Sequence, residues 1–489
     1  MKSLTSLWRE LANESASWCG TSADRDCKTV AVRTEAEGDA FLRITLPEFG
    51  KAIERWLELG KVDSSLATMF KWREGLPVFL QGFLSQIFSA DGALLDEPSI
   101  DCIFAVRMLT QTFGKIAGPC SPRRERRAMQ KYVEIEQELM SVDSSGFEEY
   151  LPLFRKASTL LWADIFCDVE NHVTQSASLA AKWAVAHPNG RGSMRTDLSL
   201  LEVLGVLPVG GVSQRRDQSI VTAVDPVDPG SPTLIPKHGP GATADGLTGN
   251  GKFDLRYWPQ RLDDVLPYGE YGVANACHDD KFDRVQFVEP GKEMAVKVIA
   301  VPKTLKTPRI IAKEPTSVQY GQQALLQKFV ENLQDGLPIW SEVPASEAMS
   351  QKDCGLGRHF IGIKDQEPNR LLAREGSHHG HLATLDLSEA SDRVLNQHVL
   401  LLMSRFPRLS AAVQGTRSTK ADVPGHGVIP LVKFASMGSA LTFPVEAMVF
   451  TTIIFRRDRE TAQSSTNPWV DLRPTESGAR LRGRYYCPS

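Results

Sequence analysis

Three stretches of this chain set carboxylates, hydroxyls and cations at spacings that suit chemistry on a phosphorylated substrate. The first is Thr384-Leu385-Asp386-Leu387-Ser388-Glu389-Ala390-Ser391-Asp392-Arg393. Leu385 and Leu387 alternate around Asp386, which predicts a short strand delivering the carboxylate, then a turn of small residues and a helix over 394–403. A strand-end carboxylate suits Mg²⁺, which takes few protein ligands and completes its shell with water and substrate phosphate oxygens. Asp392, one turn on, is placed to sit over the sugar of a nucleotide bound to that ion. The plainer alternative is that Asp386 merely ends a strand and Asp392 caps a helix.

The second stretch is Phe434-Ala435-Ser436-Met437-Gly438-Ser439-Ala440-Leu441-Thr442-Phe443-Pro444-Val445-Glu446. A turn of small residues feeds an apolar helix. Gly438 permits close backbone approach to a ribose or template, and Ser436 and Thr442 supply hydroxyls. Alternatively the stretch is only a tight loop and a core helix. The third runs from Val301 to Glu314 and interleaves Lys303, Lys306, Arg309 and Lys313 with β-formers. A twisted strand or hairpin would turn these cations toward one cavity, as triphosphate binding requires when charge gathers on a leaving pyrophosphate. The alternative is a solvated basic strand.

The elements that must position these residues are partly legible. Apolar residues at three- and four-residue spacing predict helices over 49–59, 134–140, 147–185 and 320–333, and a β-rich stretch over 296–311. The run Arg123-Arg124-Glu125-Arg126-Arg127 reads as a solvated helix face or a phosphate-contacting patch. From His187 to Lys252 the texture turns to Gly, Pro and short apolar runs, as strands and loops do. With 489 residues the chain has room for two to four domains at roughly 100–200 residues each.

The composition, 42% hydrophobic and 24% charged, is that of a globular protein and excludes collagen-like and disulfide-dense classes. The net charge of -3 means that any nucleic-acid contact must come from local basic patches. The eight cysteines include no Cys-x-x-Cys pair, which argues against a zinc ribbon and favours reduced, mostly buried thiols. No secretory leader develops after Met1, and the apolar stretch Ala440 to Phe455 is broken by Pro444 and Glu446, so a soluble protein is expected. His378, His379 and His381 read as loop histidines.

In the order basic strand, Asp-x₅-Asp, Ser-x-Gly loop, the three stretches resemble the F, A and B motifs of palm-domain RNA polymerases. Together with Lys237-His238-Gly239-Pro240-Gly241-Ala242-Thr243, the wording is similar to the replicase subunit of positive-strand RNA bacteriophages, the Qbeta-like leviviruses. The resemblance covers roughly residues 236–455. It implies an α+β right-hand polymerase fold: a helical N-terminal and fingers region over 1–235, fingers with basic nucleotide-binding strands over 236–370, and a palm with motifs A and B over 371–455.

By the same resemblance, Asp386 is the first metal carboxylate of a two-Mg²⁺ nucleotidyl transfer. Asp392 recognises the ribose 2′-hydroxyl, with Ser436, Gly438 and Thr442 shaping its pocket and the template path. Lys303, Lys306 and Arg309 hold the incoming triphosphate, while Lys237, His238 and Gly239 lie near RNA. His238 itself reads as structural or phosphate-contacting. The implied substrates are template RNA and NTPs. The implied partners are host elongation factors Tu and Ts and a ribosomal protein, in the cytoplasm of a bacterial host, with no membrane. A reverse transcriptase shares the metal logic, but Asp392 speaks for ribonucleotides. A non-catalytic RNA-binding remnant of a polymerase is the alternative from another class.

One element of the pattern is missing. A Tyr-Gly-Asp-Asp hairpin, motif C, should follow residue 446, and no Gly-Asp-Asp occurs there. Without it the second metal loses its main ligands, and catalysis by the chain as written is expected to be crippled.

From Arg456 on, the chain is arginine-rich and without apolar period. The codons permitted for Arg480 to Pro488 include CGT CTA CGG GGA CGA TAT TAT TGT CCC. Read one nucleotide later, they encode Val-Tyr-Gly-Asp-Asp-Ile-Ile-Val-Pro. A frameshift near Phe455 is therefore expected, with residues 456–489 out of frame, poorly packed and without function; the alternative is a genuine divergent C-terminus. The same shift lets Arg456 to Glu460 be read as Val-Ala-Ile-Glu-Arg, a better continuation of the preceding helix.

Overall fold

A computed structural model describes residues 4–142, 150–186, 234–272, 284–334, 356–363 and 366–462. The chain forms two compact units, one of residues 1–130 and 300–310, the other of 131–299 and 311–489. The expectations for most of 187–252 and for the tail beyond residue 462 lie outside the described residues.

The first unit is helical. Its helices α1 (Leu4–Trp18), α2 (Asp24–Glu37), α3 (Leu46–Leu59) and α4 (Ile100–Gln111) enclose an aromatic core. Trp8, Phe41, Phe49, Trp56, Phe79 and Phe83 are buried there. The α3 apolar positions Phe49, Ala52, Ile53 and Trp56 recur at helical spacing and face inward, and Gly60 ends the helix in the left-handed conformation that a Cβ disfavours. The segment 302–308, with Lys303 and Lys306, also belongs to this unit.

The second unit is organised around α6 (Tyr150–Ala186). Phe154, Ala157, Leu161, Ile165, Val169 and Val173, spaced three or four apart, form its buried stripe. Against α6 pack α7 (Thr316–Gln334), α9 (Asn396–Leu402), α10 (Pro407–Gly415) and α11 (Thr442–Ala462). Two further helices are α5 (Pro122–Met140) and α8 (Glu367–His379).

A four-stranded sheet has the order β2-β1-β3-β4, where β1 is Val296–Val301, β2 Arg309–Lys313, β3 Lys420–Val423 and β4 Gly427–Pro430. Strand β1 runs parallel to β3, with Val296 opposite Ala421, and β3 and β4 form an antiparallel hairpin. Mixed helix and sheet agree with the expected α+β class.

Three local expectations are corrected. Residues 382–387 form no strand, and Leu385 and Leu387 are 67% and 44% exposed. A strand exists only where a neighbour completes its hydrogen-bond ladder, and among the described residues no strand pairs with this segment. The helix expected over 394–403 is present but shorter, at Asn396–Leu402. A 3₁₀ turn covers Ala390–Arg393, Val394 and Leu395 are extended, and α9 begins at Asn396. The backbone of Val394 is already committed to Phe434, whose N–H donates to its carbonyl at 2.7 Å. His378 and His379 lie in the last turn of α8 rather than in a loop, because Gly380 with φ of 67° is where that helix ends.

Candidate functional site

The second unit brings Asp392, Ser436 and Thr442 into one buried network, with a lysine at its centre that the sequence reading passed over. The segment 431–434 runs antiparallel to 394–396: Asn396 N–H donates to the Val432 carbonyl at 3.1 Å, and Leu395 pairs with Lys433. Arg417 pins the same segment from the other side. Its guanidinium donates to the carbonyls of Leu431 and Lys433, both at 2.7 Å, and of Phe434 at 2.9 Å.

Held this way, Lys433 is fully buried (0% exposed). Its Nζ lies 3.0 Å from Asp392 Oδ1, 3.2 Å from Glu136 Oε1 and 3.4 Å from the centroid of the Tyr132 ring. The two carboxylate contacts are at ion-pair distance without the alignment of directed hydrogen bonds, so the attraction is mainly charge on charge, reinforced by the ring face. Burial alone would lower the Lys433 pKa, but Asp392, Tyr132 and Glu136 outweigh it and the pKa rises. The ammonium therefore stays charged.

Tyr132 and Glu136 lie one turn apart on the buried face of α5. Glu136 Oε2 also accepts the Val432 N–H at 2.8 Å. The Tyr132 hydroxyl meets the Ser436 hydroxyl at 2.7 Å. Ser436 and Thr442 are buried, and the Thr442 hydroxyl donates to the Ser436 carbonyl at 2.9 Å, so both hydroxyls are spent inside the protein, shaping the loop.

Gly438 sits at φ of 127°, and a Cβ there would come within 2.1 Å of the Ala312 carbonyl oxygen. Beside it, Ala312 N–H donates to the Met437 carbonyl at 2.8 Å. The loop is thus fastened to the end of β2, and only glycine fits.

Asp392 keeps a side-chain exposure of 16%, which leaves it open to a ligand on one side. The turn that carries it starts at Glu389, which takes the left-handed φ of 53° and pairs with Lys131. Glu446, on the first turns of α11, has its pKa pushed up to about 7, by burial first and by the Asp392 charge second. Glu314, fully buried behind the same loop, also stands at about 7 because of burial, against the opposing hydrogen bonds of Ser418 and Gln322.

The remaining sequence candidates stand apart from this network. Asp386 is exposed, and among the described residues no group of three or more metal-ligating side chains occurs. A single exposed carboxylate does not make a two-ion site, so the residues described do not by themselves fit the two Mg²⁺ ions expected.

Lys303 and Lys306 lie in the connection between β1 and β2, and Arg309 starts β2. Lys306 pairs with Glu48 at 2.9 Å in an exposed contact of small energetic weight. Lys237 is exposed, and His238 and Gly239 are half-buried on a loop without regular structure. Of the basic run, Arg123, Arg126 and Arg127 are exposed on α5, while Arg124 donates to the Leu305 carbonyl at 2.9 Å.

Lys433, Glu136, Tyr132 and Arg417 were missed, although two signals were present. Lys433 interrupts the apolar run Leu431-Val432-Lys433-Phe434, and Glu136 falls on the apolar stripe of α5 with Tyr132 and Val133. A charge on an apolar stripe is kept only where a partner meets it.

Residues 356–457, which include Asp386, Asp392, Lys433 and the 436–446 loop, match the family model described as RNA replicase, beta-chain. The chain is similar to the RNA-directed RNA polymerase subunit beta of Enterobacteria phage SP, 34% identical over 160 residues (32% of this chain, 23% of that protein). It is also similar to the subunit beta of Escherichia virus Qbeta, 32% identical over 158 residues (32% of this chain and 22% of that one). The RNA-directed RNA polymerase beta chain of Escherichia phage MS2 is 33% identical over 157 residues (32% and 24%). The chain thus spans about a quarter of the length of these curated relatives. Over this segment, which carries Asp392, Lys433 and Ser436 of the buried network, the chain is similar to the RNA replicase beta-chains of RNA bacteriophages.

Proposed function

We propose that this chain is the polymerase subunit of an RNA phage replicase, carrying out RNA-templated RNA synthesis. The observation that carries the reading is the match over 356–457, which contains the Asp-x₅-Asp and Ser-x-Gly segments in the expected order. In the proposed reaction a primer or initiating 3′-hydroxyl loses its proton, its oxygen bonds to the α-phosphorus of an NTP, and pyrophosphate leaves. Asp392, held by Lys433, accepts the ribose 2′-hydroxyl and so favours NTP over dNTP. Lys303, Lys306 and Arg309 receive the triphosphate.

Mg²⁺ is the ion that supplies charge stabilisation in such chemistry, with Asp386 as the residue that would hold it. A second carboxylate set is needed. The family match ends at residue 457, beside the proposed frame break near Phe455, and the exposed Leu385 and Leu387 fit a strand whose partner hairpin has been lost from the reading frame. The printed residues nevertheless allow α11 to run on to Ala462, since Arg, Glu and Ala are good helix formers. The palm and fingers assignments over 1–235, 236–370 and 371–455, the out-of-frame tail at 456–489, the host factors Tu and Ts with a ribosomal protein, and the bacterial cytoplasm belong to the same proposal. No described helix is long and apolar enough to cross a membrane.

Sequencing the coding RNA from the Ala447 codon past the Ser489 codon tests the frame. An inserted or missing base that restores Tyr-Gly-Asp-Asp, together with Mg²⁺-dependent incorporation of NTP over dNTP by the restored chain, is the expected result. Preferential dNTP incorporation would make the enzyme a reverse transcriptase instead. A clean frame would favour the second reading, a non-catalytic RNA-binding remnant, which the solitary Asp386 also supports.

A further inference from the structure

The loop 236–240 and the 3₁₀ turn Gly249–Phe253 face each other across a cleft of about 420 Å³, a size within the roughly 300–1,000 Å³ of small-ligand sites. Lys252 joins the two walls. Its ammonium is buried and donates to the carbonyls of Gly239 and Gly241. The loop is fixed at its far end as well, where Ala244 N–H donates to the Glu314 carbonyl at 2.9 Å and the Thr316 hydroxyl bonds to Thr243 and Asp245.

Inside this frame three aromatic rings form a ladder. His238 stacks on Tyr320, with centroids 4.4 Å apart and planes at 22°, and meets Phe253 edge-to-face at 4.6 Å and 88°. The buried Nε2 of His238 has no hydrogen-bond partner, and the ring's contacts with Tyr320 and Phe253 are both aromatic. Burial, then the Lys252 charge, lowers the His238 pKa, which keeps the imidazole neutral and the ladder apolar at neutral pH.

Phe253 ends the ladder with its side chain 60% exposed on the rim of the cleft, on a backbone that Lys252 holds in place. The exposed Lys237 stands on the opposite wall, and no acidic residue is among the described residues lining the cleft. The nearest acid in sequence, Asp254, is paired with Arg256 at 2.6 Å. In a chain of net charge -3, a cleft with two cations, no acid and a presented aromatic face is built for a planar anionic ligand.

We propose that Phe253 is a stacking platform for an unpaired base of single-stranded RNA, with Lys237 on the adjoining phosphate. Stacking on an aromatic face is tolerant of base identity, because every base has a π-face. The site therefore grips a strand without reading its sequence, as a general template path requires. A free nucleotide carries the same chemistry, base plus phosphate, and is the other possible source. The proposal deepens the RNA reading above and is tested apart from catalysis.

The full chain is titrated against a fluorescent single-stranded RNA of about 12 nucleotides, with adenosine monophosphate as competitor. Phe253→Ala is expected to weaken RNA binding about 5- to 150-fold, from roughly 1–3 kcal/mol per stacked base. Its salt slope should be unchanged, because no phosphate contact is lost. Phe253→Trp should restore affinity. Lys237→Ala should reduce the slope of log affinity against log salt by about 0.7. Circular dichroism and melting of each variant check the fold, which an exposed ring should not disturb.

RNA binding that is indifferent to Phe253→Ala would overturn the stacking site and leave the polymerase reading standing. Phe253-dependent binding of the monophosphate, without RNA binding, would overturn the strand as ligand and count against the polymerase reading. Binding of neither would overturn the site.

Discussion

Lys433 is a fully buried positive charge with two carboxylates within 3.2 Å, so removing it changes more than one contact. Lys433→Met would leave Asp392 and Glu136 sharing a buried space without a counter-charge, at a cost of about 3–5 kcal/mol, the usual penalty for breaking a buried pair from one side. Denaturant titration of the variant checks this, and a loss below about 1 kcal/mol would mean that water already reaches the pair. Gly438→Ala drives a Cβ into the Ala312 carbonyl at a φ that only glycine favours. The expected loss is about 2–4 kcal/mol, read from thermal melting.

Glu446 makes the same neighbourhood pH-sensitive. Its carboxyl stands at about 7 in the folded chain against an ordinary 4.5, so between those values the folded chain holds a proton that the unfolded chain has released. Stability contributed at this site therefore falls as pH rises from 4.5 through 7. Glu446→Gln should raise the melting temperature by a few °C at pH 8 and change it little at pH 5. Equal shifts at both pH values would refute the assignment. Glu314 titrates in the same window, so the variant should reduce the slope without abolishing it.

At the scale of elements, α6 is tied to its neighbours by buried polar contacts as well as by its apolar stripe. Trp162 Nε1 donates to the Thr452 hydroxyl on α11 at 2.8 Å, and the Ser158 hydroxyl donates to the Leu402 carbonyl at the end of α9 at 2.6 Å. Thr452→Val keeps the shape and orphans the indole N–H. The expected loss is about 1–3 kcal/mol, measurable by urea denaturation. The helices α3, α5, α6 and α7 were legible because each satisfies its own backbone and needs only an apolar stripe at three- and four-residue spacing. The strand at Asp386 was not, because a strand's backbone groups are satisfied from outside the segment. The alternation of Leu385 and Leu387 indicates which face would be buried and says nothing about whether a neighbour is there.

For the whole molecule, the second unit contains the entire Lys433 network and the matched segment, whereas Lys303, Lys306 and Arg309 fall in the first. If the coding frame is restored and a Tyr-Gly-Asp-Asp hairpin follows α11, residues 384–387 acquire a ladder partner. Their amides should then be protected from hydrogen exchange, while in the chain as printed they exchange within the time of the first measurement. Equal, fast exchange in both chains would show that the hairpin does not pair with this segment.

Sequence by itself determined the helices α3, α5, α6 and α7, the order of the three chemistry-bearing stretches, the missing carboxylate pair and the resemblance that followed from them. Those features are local, written in spacing and in residue type. Tertiary structure decided which charges are neighbours. Lys433, Glu136 and Asp392 come from three separate parts of the chain, and nothing in their spacing announces that one buried ammonium joins them. It also decided that His238, read as structural or phosphate-contacting, stacks on Tyr320 and meets Phe253 edge-to-face, because a ring contact between distant parts of the chain, His238 with Tyr320, is set by how the backbone packs. A charge becomes costly, and therefore paired, only once packing has removed its water.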